Sequence, residues 1–68
     1  MLLTARKAGF LGVRYAAFEL TEDGRVILHN GSPSGEDVTA RCGGPLGGPG
    51  ELPAAVTALG WEATSWTR

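Results

Sequence analysis

The chain carries one cysteine (Cys42), one histidine (His29), one lysine (Lys7) and no glutamine. A lone thiol excludes an intramolecular disulfide, and one thiol with one imidazole falls short of a structural zinc set. Long apolar runs are also missing, and none approaches the ~20 residues that cross a bilayer. Arg6 and Lys7 interrupt the apolar opening after Met1–Ala5, too early for the core of a secretion signal. These absences set the expectation of a reduced protein, cytoplasmic or assembled inside a cell, with no membrane association.

With 68 residues there is room for a single small domain. A chain of this size buries only about 60% of its unfolded surface, so its stability is marginal. Lacking disulfide and metal, it has one remaining source of support, which is association with another molecule.

Glycine, by contrast, is abundant and concentrated. Seven of the eleven glycines, with Pro33, Pro45 and Pro49, fall between residues 30 and 50. Such a stretch cannot supply a core, and ordering it is entropically costly. We expect a long loop or arm there, with at most one short strand over Val38–Cys42.

The clearest local signal is a hairpin. Arg14–Leu20 and Arg25–Asn30 flank Thr21-Glu22-Asp23-Gly24, and Asp-Gly between alternating segments marks a turn. A loop in which Gly24 is a left-handed bulge residue pairs Leu20 with Val26 and Phe18 with Leu28. That register collects Ala16, Phe18, Leu20, Val26 and Leu28 on one face, whereas a one-residue slip scatters them. The opposite face is half apolar: Val13, Tyr15, Ala17 and Ile27 stand beside Glu19, Arg25 and His29. A solvent-facing sheet surface normally alternates to polar residues.

Leu2–Ala8 is open to two readings, a first strand or a helical turn closed by Gly9; the strand is favoured, because Gly9 and Gly12 bracket Phe10 and Leu11 as a bend or bulge would. Pro53 suits a first helical position, and Leu52, Ala55, Val56 and Leu59 recur at helical spacing. A helix over about residues 53–59 should stop at Gly60 in a left-handed conformation, with Trp61 folding back on its last turn. Glu62–Thr67 then has strand character. Trp61 and Trp66 are five residues apart, so a regular strand sends them to opposite faces, one to the core and one outward. The predicted fold is α+β and β-rich: a small antiparallel sheet or partly open barrel of three to five strands with one short helix.

No constellation of residues supports catalysis. The glycine segment lacks the Lys and hydroxyl of a phosphate-cradling loop, and Pro45 and Pro49 remove backbone donors. His29 with Glu19, Asp37 or Cys42 lacks the spacing of an oriented nucleophile–base pair. We expect no cofactor, no metal and no small-molecule substrate.

Charge is segregated although the net charge is only −1. Arg6, Lys7 and Arg14 make residues 1–14 wholly basic, while residues 15–40 hold Glu19, Glu22, Asp23, Glu36 and Asp37 against Arg25. The basic cluster is too short for the stripe of a typical nucleic-acid binder, which disfavours but does not remove that reading. Contact of these cations with phosphate or an acidic partner, including head-to-tail docking with copies, suits the polarity equally. Interface anchors are sought on the half-apolar face: Val13, Tyr15, Ile27 and an outward Trp66.

The stretch Thr4-Ala5-Arg6-Lys7-Ala8-Gly9-Phe10-Leu11-Gly12 resembles the opening of small phage-encoded virion and head-assembly β domains, which run Ala-basic-x-x-Gly-Phe-aromatic-Gly. Phe18-Glu19-Leu20 and Ser65-Trp66 match the Phe-Glu-hydrophobic strand and terminal Ser-Trp of that group. Leu11 stands where the group has an aromatic, and residues 30–60 have no counterpart in it. The resemblance implies a structural component of a virion, not an enzyme. Together these readings give a non-catalytic assembly or interaction module that binds a copy or a larger partner. The alternatives are a nucleic-acid accessory protein and a small adaptor or inhibitor of a cellular enzyme.

Overall fold

Alternating apolar and polar residues in the N-terminal half produce a three-stranded antiparallel meander. The computed structural model, which describes residues 1–31 and 34–67, defines β1 (Leu2–Gly9), β2 (Gly12–Leu20) and β3 (Val26–His29). A short β4 (Glu36–Asp37) and a C-terminal β5 (Glu62–Thr67) complete an antiparallel sheet of order β4-β3-β2-β1-β5. The sheet is open, with β4 and β5 as its two edges, so no barrel forms. Ser32 and Pro33, part of the glycine- and proline-rich stretch, lie outside the described residues.

The β2–β3 register is the bulged one, pairing Leu20 with Val26 and Phe18 with Leu28. Gly24 has φ +86°, and the Thr21 N–H donates to the Arg25 carbonyl across the turn at 3.0 Å. One face of the sheet therefore carries Leu3, Ala5, Ala16, Phe18, Val26 and Leu28, all buried.

The helix α1 (Leu52–Ala58) covers this face with Leu52 and Val56, both fully buried. Its end is closed by two further bonds to its last carbonyls: the Trp61 N–H donates to Val56 and the Gly60 N–H to Thr57, with Gly60 at φ +91°. The Trp61 ring then meets Phe18 edge-on, centroids 5.6 Å apart. No helix among the described residues is long and apolar enough to cross a membrane.

Two expectations are corrected here. Val38–Cys42 is not a strand; Thr39–Cys42 forms a 3-10 turn, and the strand lies just before it at Glu36–Asp37. The reason is Thr39, whose buried hydroxyl accepts from the Val26 N–H and donates to Asp37, turning the chain inward instead of along the edge. Nor is the described part of the glycine-rich stretch a free arm. Val38 is buried, Leu46 packs against the core, and the Leu46 N–H donates to the Gly24 carbonyl at 2.9 Å.

Candidate functional site

The connection between β1 and β2 is two residues long, Phe10-Leu11, between the paired glycines Gly9 and Gly12. Gly12 takes φ +129°, which spares Phe10 and Leu11 any positive φ. Hairpin loop residues project beyond the last strand pair, so both side chains stand in solvent at 102% and 96% exposure. Enclosing one such side chain yields about 1.5–3 kcal/mol. Two adjacent, fully bare apolar residues at a strand tip thus form the most exposed apolar point among the described residues. In the sequence Gly9 and Gly12 mark a bend, but Phe-Leu is not a hairpin-turn pair, so its closure into a two-residue loop is set by the β1–β2 pairing.

The apolar surface continues from the tip along the outer sheet face. Val13 and Tyr15 follow on β2, 54% and 64% exposed, with Ala8 opposite Val13. Ile27 shares the face but is half-buried, because the backbone at Gly35 passes so close that a Cβ there would overlap its Cγ2. Ion pairs border this surface. Arg6 binds Glu62 at 2.6 Å and Arg25 binds Asp37 at 2.6 Å, while His29 Nε2 lies 3.0 Å from Glu19.

Trp66 does not join it. The β1–β5 register shifts between Thr4 and Ala5, so Ala63 pairs with Ala5 while Trp66 pairs with the buried Leu3. The extra residue reverses the parity expected of a regular strand and puts both tryptophans on the helix side. There Trp66 borders a shallow concavity with Met1, Pro49 and Gly50.

The three cations of the N-terminal segment divide as well. Arg6 faces outward and is neutralised by Glu62. Lys7 and Arg14 are register partners on the other face, where Lys7 Nζ sits 5.5 Å from the Trp61 ring centroid. Lys7 and Arg14 therefore form a basic collar below the apolar tip, and Arg6 is not part of it.

Among the polar residues that could serve catalysis, His29 contacts Glu19, while Asp37 is bound by Arg25 and Thr39. The Arg25 guanidinium, aided by the Thr39 hydroxyl and N–H, holds the Asp37 carboxyl down to about 2. Cys42 leans on the core, and burial pushes its thiol up. No group of three or more His, Cys, Asp or Glu that could hold a metal ion occurs among the described residues.

In comparisons with known proteins, no family model, curated protein or solved structure matches this chain.

Proposed function

We propose that this chain is a non-catalytic interaction module that docks through the β1–β2 hairpin. Phe10 and Leu11 act as the anchor and Val13 and Tyr15 as the continuing contact surface. The observation that carries the reading is the complete exposure of Phe10 and Leu11 in a chain whose inner sheet face is fully supplied with apolar cover. A small domain with marginal stability gains nothing internally from a bare Phe-Leu tip, whereas aromatic anchors seated in a partner's pocket dominate protein interfaces. The resemblance of Thr4–Gly12 to phage virion components is compatible with a subunit of a larger assembly, and a virion part is the form of the reading we favour.

The test is sedimentation velocity across a concentration series. The wild type should run larger than its 7.1 kDa mass, and Phe10→Ser/Leu11→Ser should run as a monomer with an unchanged far-UV CD spectrum. Tyr15→Glu should weaken association without unfolding the sheet. Wild-type-like association of the tip variant would sink the proposal.

A further inference from the structure

Resting on the hairpin as a docking element, the charge distribution points to its receptor: we propose that the finger binds the opposite end of a second copy of the same chain, head to tail.

The argument begins with what ion pairing leaves over. Among the described residues, the Arg side chains at 6, 25 and 41 are each paired with a carboxylate, and Glu19 lies against His29. The described side-chain cations outside these pairs are Lys7 and Arg14, both in the finger. They stand directly opposite each other across β1 and β2, and like charges in that position repel. An anionic partner relieves the repulsion.

The described carboxylates outside these pairs are Glu22, Asp23 and Glu51, and they gather at the far end. Glu22 and Asp23 occupy the turn after β2, with Asp23 accepting from the Thr21 hydroxyl. The Glu51 carboxylate lies beside Gly47, next to Leu46, whose N–H is tied to Gly24 in that same turn. Glu22 and Asp23 line a concavity of about 480 Å³ whose apolar lining includes Met1, Leu20, Leu46 and Pro49, and Glu51 stands just outside it, against the lining residue Gly47. An apolar tip with a basic collar thus has its complement in an apolar hollow with an acidic rim.

Both features lie on one molecule and cannot meet there. The nine residues of β2 separate them by roughly 30 Å at about 3.3 Å per residue. They meet only between copies. Such a contact is heterologous, so each bound copy presents a new finger and a new hollow.

The decisive experiment uses two variants of the full chain. Phe10→Ser/Leu11→Ser removes the finger and keeps the hollow. Glu22→Lys/Glu51→Lys reverses the rim and keeps the finger, sparing Asp23 and its turn hydrogen bond. Sedimentation velocity and far-UV CD are recorded for each variant alone and for their equimolar mixture. We expect salt-sensitive wild-type oligomers, with association weakening about tenfold or more from about 0.05 to 0.5 M salt. Each variant alone should be a folded monomer, and the mixture should form a one-to-one dimer that grows no further. The dimer is the diagnostic result, because only a two-ended contact can be rebuilt from one intact end of each kind.

Oligomers of the rim variant that match the wild type would overturn head-to-tail docking. If the finger variant is still monomeric, the hairpin remains the docking element and its receptor lies elsewhere. A monomeric mixture overturns the proposal as well. So does a wild type that is monomeric throughout but co-sediments with phosphatidylserine-containing vesicles through Phe10, which would make the occupant a lipid surface.

Discussion

At the scale of single residues, the molecule separates positions that hold the fold from positions that do not. Gly24 belongs to the first kind. It combines φ +86° with a neighbour, the Leu46 carbonyl oxygen, that would lie 2.6 Å from an added Cβ. Gly24→Ala should therefore cost about 2 kcal/mol or more, from strain and displacement of the Leu46 segment together. A domain of this length has only about 3–10 kcal/mol to lose. Its melting temperature should drop by roughly 10 °C in a thermal scan; an unchanged melt would show that the turn adjusts freely. Phe10 is of the second kind, and its exposure predicts a change within about 0.5 kcal/mol on substitution. That contrast lets the tip be altered without disturbing the scaffold that presents it.

At the scale of elements, the two-residue β4 is held by chemistry more than by pairing. Asp37 receives the Arg25 guanidinium and the Thr39 hydroxyl and N–H, and Thr39 in turn accepts from Val26. The folded carboxyl titrates at about 2 against an ordinary 3.8. Its stabilisation is therefore complete above about pH 4 and lost as pH falls through about 2. Amide exchange at Val26 and Val38 should accelerate across that window, ahead of β1 and β2. Asp37→Asn should exchange faster at neutral pH and show a flatter acid response; an identical acid profile would show that Asp37 does not fasten the edge. The β2–β3 hairpin was legible in the sequence because side-chain parity over Phe18, Leu20, Val26 and Leu28 admits one register. The helix and its Gly60–Trp61 ending were legible because capping is local. Trp66 was not, since the β1–β5 bulge arises where strands nearly sixty residues apart must fit, and no local pattern encodes it. The docking of Leu46 depends likewise on a distant carbonyl at Gly24. The finger was half legible: Gly9 and Gly12 mark a bend, and only the β1–β2 pairing turns that bend into an exposed tip.

At the scale of the whole molecule, the body is elongated, with extents of 35 × 25 × 23 Å, and its uncompensated charges sit at opposite ends. If native copies associate and unfolded chains do not, mass action raises apparent stability with concentration. The melting temperature of the wild type should climb over a hundredfold dilution series at low salt, and that of Phe10→Ser/Leu11→Ser should not. A concentration-independent wild-type melt would show that the scaffold does not depend on neighbours. The irregularity in β5 bears on what such association can build. A flat outer strand offers unpaired backbone groups to any passing strand, and an inserted residue twists it away from that use. With its margin blunted at Thr64, the sheet is a poor template for sideways accretion, so copies that join end to end would string into a thread one molecule wide and not fuse into a ribbon.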